Sequence, residues 1–213
     1  MKIEPALAVV QSLGQKPVYH ASEFFEPAGS KATAYRVIRR LQELGLAAET
    51  KKRGYFTVRS SAFQPYQTWP HLLPSLSALR QARYFGRSYD ESDVNNAKRV
   101  LSGIVTLDYR AYELTKLQTP RIFFIYVDNQ DKGAELLRSR GFSEGTRGRV
   151  AILPRERSVF WNEIQRVYLD CLAFGGRSTL DAIAIELLYA DRLSVKGEFP
   201  ADLVLKVKEE LPA

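Results

Sequence analysis

The chain holds one cysteine, two histidines and no long run of apolar residues, and each shortage removes a class of protein. A lone Cys171 excludes an internal disulfide and a zinc site built on cysteines. It sits in the run VYLDCLAF, so a buried small hydrophobe is expected there rather than a reactive thiol. His20 stands beside an expected helix start and His71 in a proline-rich stretch; both are expected as capping or surface groups, not proton shuttles. No window approaches the roughly 20 apolar residues of a membrane span. The opening MKIEPALAVVQSLGQK carries Glu4 and Pro5 where a signal peptide needs a basic start and an apolar core. A cytoplasmic protein without membrane association is therefore expected. Neither an internal repeat nor a low-complexity segment is visible.

Positive charge is in excess. With 31 Lys/Arg against 24 Asp/Glu the net charge is +7, which suits an anionic partner, either nucleic acid or a membrane surface. Residues 1–60 hold ten Lys/Arg against five acids, and the remainder 21 against 19, so most of the excess lies in the first quarter. A hydrophobic share of 45% supplies one or two ordinary cores, so 213 residues read as one large domain or two small ones.

The segment EPALAVVQSLG spaces its apolar residues as a helix and ends in Gly14. Ser22 is positioned to cap a short helix carrying Phe24 and Phe25. Ser30 is a good N-cap for SKATAYRVIRRLQELG, whose core positions would be Ala34, Val37, Ile38, Leu41 and Leu44, with Gly45 as the stop. Ala32, Tyr35, Arg36, Arg39 and Glu43 fall on the opposite side of this helix, with Lys31 and Arg40 on its flanks. LAAET and YFTVR then read as two strands joined by KKRG. Three helices and a hairpin in about sixty residues are the order of a winged helix-turn-helix.

The proline-rich SAFQPYQTWPHLLPS reads as a linker or extended arm over 61–80. Beyond it, helices are expected in LSALRQARYFG, from Asp90 or Ser92 through NNAKRVLSG, and in YRAYELTKL. RIFFIYVD and RVAILP read as strands buried on both faces. Helices follow in KGAELLRSRG, NEIQRVYLDCLAFGG, STLDAIAIELLYADRL and ADLVLKVKEEL. The fold expected is α+β: an N-terminal winged helix-turn-helix over 1–60, then a C-terminal α/β domain over 81–213 with a small sheet packed by helices.

In a helix-turn-helix the second helix enters the major groove, where the planar fork of Arg matches the acceptors of guanine. Ser30, Lys31, Thr33, Tyr35, Arg36, Arg39 and Arg40 would supply that surface. Lys51, Lys52 and Arg53, with Tyr55 at the root, would form a wing on the flanking phosphates. The expected partner is double-stranded DNA of a promoter or operator. A winged helix that docks only on protein is the alternative. A metal-dependent enzyme acting on nucleic acid or nucleotides, through Asp128, Asp131 or Asp181, is the third reading. FGGRSTLD lacks the paired strand carboxylates that nucleotidyl transfer needs, so Gly175-Gly176 reads as a helix stop and Ser178 or Thr179 as a cap. No catalytic residue, cofactor or metal is expected.

IFFIYVDNQDKGAELLRSRGF, VAILP and IQRVYLDCLAFGGRSTLDAIAIELL together resemble the C-terminal domain of the AbiEi family. These are antitoxins and transcriptional regulators paired with nucleotidyltransferase-like toxins in type IV toxin–antitoxin systems. The resemblance rests on Gln165, Tyr168, Leu169 and Asp170, on Gly175-Gly176-Arg177, and on Ile152-Leu153-Pro154. With the N-terminal part it covers most of the chain. It implies a repressor of its own operon, with a C-terminal domain needed for antitoxicity.

Overall fold

Ala6, Leu7 and Val10 recur at helical spacing and are buried, and they form the inner side of helix α1 (Ile3–Leu13). The structure, a computed structural model, describes residues 3–145, 148–155 and 162–212. Among the described residues the protein is α+β, with nine α-helices and two sheets.

After α1 come strand β1 (Tyr19–His20) and a 3-10 helix (Ala21–Phe24). The cap of this short helix is His20, not the expected Ser22. The His20 ring accepts the Ser22 N–H, and the Glu23 carboxylate accepts the His20 N–H at 2.7 Å. Helix α2 (Lys31–Glu43) begins where Ser30 accepts the Thr33 N–H at 3.1 Å, and it buries Ala34, Val37, Ile38 and Leu41. Gly45 ends it at φ +70°, a backbone state that disfavours a side chain; a Cβ there would also stand 3.0 Å from Arg80 Cγ. Strands β2 (Ala47–Glu49) and β3 (Tyr55–Val58) complete an antiparallel sheet of order β1-β3-β2, with Tyr19 opposite Phe56 and Ala48 opposite Thr57.

Residues 61–80, expected as a linker or extended arm, are largely helical. Two 3-10 turns lead into helix α3 (Trp69–Arg80), which buries Trp69, Leu72 and Leu76 and packs against α7 (Glu163–Phe174). The prolines misled for a physical reason. Pro70 lies in the first turn, where its missing N–H would have had no partner, and Pro74 removes only one further bond. The helix expected through LSALRQARYFG therefore stops at Arg80, and its second half is strand β4 (Arg83–Gly86).

Helix α4 (Glu91–Val100), capped by Asp90, leads to strand β5 (Ile104–Thr106) and helix α5 (Leu107–Thr115). Strand β6 (Phe123–Val127), helix α6 (Gln130–Ser139) and strands β7 (Ser143–Glu144) and β8 (Val150–Pro154) follow. The second sheet has the order β5-β6-β8-β4-β7; β6 and β8 are parallel and the other pairs antiparallel. Its central strands are buried on both faces and their side chains alternate. Phe123, Ile125, Val127, Val150 and Ile152 join the core under α4 and α6. Phe124, Tyr126, Ala151 and Leu153 join the opposite core, which runs on through α3 and α7 into α1 and α2. One apolar cluster thus spans the first sixty residues and the later helices.

Helix α8 (Ser178–Tyr189) ends before the expected ADRL, which turns as a 3-10 helix, and α9 (Ala201–Glu210) closes the described chain. Helix α7 is buried from Ile164 to Ala173, Cys171 included. No described helix is long and apolar enough to cross a membrane.

Candidate nucleic-acid interface

The apolar stripe that fixes α2 to its core decides which side chains remain outside. Lys31, Tyr35, Arg36 and Arg39 are exposed, and Thr33 and Arg40 are half-buried. Three polar side chains on this surface are linked. The Ser30 hydroxyl accepts the Thr33 N–H and donates to Thr33 Oγ1 at 3.0 Å, which also accepts from Arg36 Nη2 at 3.0 Å. Ser30 is therefore engaged by its cap in both directions, while Arg36 is steadied by one nitrogen and keeps its other donors free. Tyr35 leans towards Phe25, with ring centroids 6.0 Å apart. Arg40 is drawn back along the helix by Glu43 at 3.2 Å. Among the described residues no carboxylate pairs with Lys31, Arg36 or Arg39, from either half of the chain.

The β2–β3 turn is built to carry its charges outward. Thr50 N–H donates to Tyr55 O at 2.8 Å and the Thr50 hydroxyl to Lys52 O at 3.1 Å, while Gly54 N–H reaches the Glu49 carboxylate at 3.2 Å. Gly54 O accepts from Ala21 N at 2.9 Å, which ties the turn to the start of the short helix. Lys51, Lys52 and Arg53 are exposed, and Lys52 Nζ lies 4.4 Å from the half-buried Tyr55 ring. Tyr55 meets His20 edge-on at 4.8 Å. All the residues singled out for this surface thus fall within one small unit of α1, α2 and the three-stranded sheet.

The unit is anchored by contacts that sequence reasoning missed. Arg59 donates to Phe174 O at 3.0 Å, at the C-terminal and partly negative end of α7, and partial desolvation of its guanidinium there lowers its pKa. Ser60 and Thr179 hydroxyls meet at 3.1 Å. Gln64 exchanges two hydrogen bonds with the backbone of Glu198, at 3.0 and 2.9 Å. A cavity of about 660 Å³ lies along this seam, between Thr57–Ser60 and Phe174–Thr179.

The residues behind the enzyme reading are dispersed. Asp128 pairs with Arg155 and Asp131 with Arg83, while Asp181 is buried on α8. His20 caps the short helix. No group of three or more His, Cys, Asp or Glu stands together among the described residues.

The polar residues that carry the family resemblance are engaged internally. Gln165 Oε1 accepts from Ser194 N–H at 2.7 Å, and the Tyr168 hydroxyl donates to Glu186 and accepts from Gly197 N–H. Fully buried Asp170 accepts from Thr106 and Tyr126, the latter at 2.9 Å, and burial raises its pKa. Arg177 donates to Gln118 and to Thr119 O. These contacts tie α7 and α8 to the elements around them. Compared with family models, curated proteins and solved structures, the chain matches none.

Proposed function

We propose that the protein is a DNA-binding transcriptional regulator whose first sixty residues act as a winged helix-turn-helix, with α2 in the major groove and the β2–β3 turn as the wing. The carrying observation is the outer face of α2, where Lys31, Arg36 and Arg39 stand exposed without a carboxylate partner among the described residues. The element order α1, β1, short helix, α2, β2, β3 and the sheet order β1-β3-β2 support the same reading. Arg36 and Arg39 are the base readers in this proposal, and Lys51, Lys52 and Arg53 contact phosphates.

Fluorescence anisotropy with duplex DNA from upstream of the protein's own gene tests it. Neutralising about six phosphates makes affinity fall by about three orders of magnitude between roughly 50 and 200 mM salt. Arg36→Ala or Arg39→Ala costs about 1–3 kcal/mol and relaxes sequence preference, whereas Lys52→Ala weakens all sequences alike. A flat salt response, or equal losses on every sequence for all three variants, refutes the assignment. The narrower role implied by the AbiEi resemblance is that of an antitoxin and repressor of its own operon. Rescue of cells expressing a nucleotidyltransferase-like toxin from a neighbouring gene tests that role. A protein partner retained after nuclease treatment, without DNA affinity, would replace the DNA reading with that of an interaction module.

A further inference from the structure

On the far side of the second sheet, three arginines from three separate elements converge on one hollow. Arg87 follows the end of β4, Arg99 lies in the last turn of α4, and Arg140 is the residue after α6. With Asn96 and Val100 they line a cavity of about 200 Å³. Asn96 and Arg99 are three apart on α4 and so share a face. Arg87 is fixed in place by its Nη1, which donates to Arg140 O at 3.2 Å. It lies across the turn at Gly141, where φ is +81° and a Cβ would stand 3.4 Å from Arg87 Cδ.

Of the twelve described arginines from residue 81 onward, half are paired with a carboxylate. Arg83, Arg110, Arg138, Arg149, Arg155 and Arg166 each have a carboxylate within reach. Among the described residues Arg87, Arg99 and Arg140 have none, and no acidic side chain lines their cavity. Two negative contributions lie close by. The ends of α4 and α6 each carry about half a negative charge. Asp93, one turn before Asn96, is buried, and its carboxylate accepts the N–H groups of Arg87, Ser88 and Tyr89 at 2.8–2.9 Å. Counted in full, these offset about two of the three positive charges and leave the hollow cationic.

We infer that Arg87, Asn96, Arg99 and Arg140 form an oxyanion site that takes a phosphate group. The planar guanidinium forks supply paired donors to tetrahedral oxygens, and the Asn96 amide adds a neutral one. The volume is below the roughly 300–1,000 Å³ of pockets that enclose a drug-sized ligand, so the site holds a phosphoryl or diphosphoryl group and leaves the rest of any larger ligand in solvent. The phosphate comes from a free small molecule, since α4 and α6 cover the sheet face opposite the core shared with α1 and α2. The inference stands apart from the DNA-binding proposal.

Isothermal titration of sodium pyrophosphate into the full chain, at matched ionic strength in chloride, provides the test. Three proteins are compared: wild type, the double substitution Arg99→Ala with Arg140→Ala, and the double substitution Arg36→Ala with Arg39→Ala. All four arginines are exposed, and circular dichroism checks that each variant is folded. Saturable binding is expected in wild type and in the α2 variant, and at least about tenfold weaker binding in the Arg99/Arg140 variant. Should pyrophosphate not bind while the Arg99/Arg140 variant loses duplex affinity with a shallower salt slope, the phosphate is that of a DNA backbone, and its assignment to a free small molecule is overturned. Absence of pyrophosphate binding together with unchanged duplex affinity overturns the inference. Equal loss of pyrophosphate binding in both double variants also overturns it.

Discussion

Asp181 gives the protein a pH-dependent stability whose size follows from its surroundings. The residue lies in the first turn of α8, is 3% exposed, and has Oδ1 without a hydrogen-bond partner among the described residues. Burial raises its pKa from 3.8 to about 7; the Gln118 hydrogen bond opposes the rise, Asp108 adds to it, and Arg177 opposes it. Between those values the folded protein holds a proton that the unfolded chain has released. Stability therefore falls as pH rises: the contribution is complete below 3.8, is lost across the window and is gone once pH passes about 7. At about 1.36 kcal/mol per unit, the full span is worth about 4 kcal/mol, and the part above about pH 5 about 3 kcal/mol. Asp181→Asn removes the titration and keeps the shape. Its amide nitrogen takes an unpartnered position at a cost of about 1–3 kcal/mol, which does not vary with pH. Urea unfolding of both proteins from about pH 5 to pH 8 gives a difference that moves in the variant's favour by about 3 kcal/mol. Asp170, also raised by burial, is present in both proteins and drops out of that difference. A difference that stays constant across the range refutes the assignment of the buried proton to Asp181.

Ser30→Ala removes the α2 cap and destabilises by about 1 kcal/mol, with faster amide exchange at Thr33 than at Leu41; uniform exchange along α2 would contradict it. Trp69→Ala empties a site 1% exposed in the core that links α3 to the rest, and urea unfolding should register a loss of about 3–5 kcal/mol. A solvated arm at 61–80 would lose almost nothing. Tyr126→Phe takes a donor from the buried Asp170 carboxylate and costs about 1–3 kcal/mol; a neutral result by thermal or urea unfolding would show that Ser75 and Thr106 suffice.

How much was legible in the sequence depended on whether the cause was local. Helix α2 could be read because its apolar spacing, its Ser30 cap and its Gly45 stop agree, and all three lie within sixteen residues. Strands β6 and β8 were legible for the same reason, as unbroken apolar runs. RYFG at 83–86 was not. Its strand state comes from pairing with β8 and β7, more than fifty residues on, and nothing nearby distinguishes it from the end of the preceding helix. Helix α3 was hidden because prolines signal a break without revealing which turn they occupy. Burial of Gln165 and Asp170 was equally opaque. Their partners are Ser194, Thr106 and Tyr126, brought together only by the fold. Of the proposed interface, the outward residues of α2 followed from the apolar stripe, whereas the loss of Ser30 and Arg40 to contacts within the helix required atomic geometry. The Arg87, Arg99 and Arg140 hollow has no sequence signal, because its members are spread over more than fifty residues.

The seam between the two halves bears on how α2 would meet a partner. A winged helix on a flexible tether loses orientational freedom when it docks, and that loss opposes binding. Here the apolar cluster is continuous from α1 and α2 through α3 to α7, and Arg59, Ser60 and Gln64 add polar ties across it. The outer face of α2 is thus oriented by core packing, the least deformable part of a protein. Buried polar groups of α7 act in the same direction: Gln165 holds Ser194, Tyr168 holds Glu186 and Gly197, and Asp170 holds Thr106 and Tyr126. If DNA lies against α2, it meets a face already aligned, and substitutions along the seam would alter affinity through orientation while leaving every base contact in place.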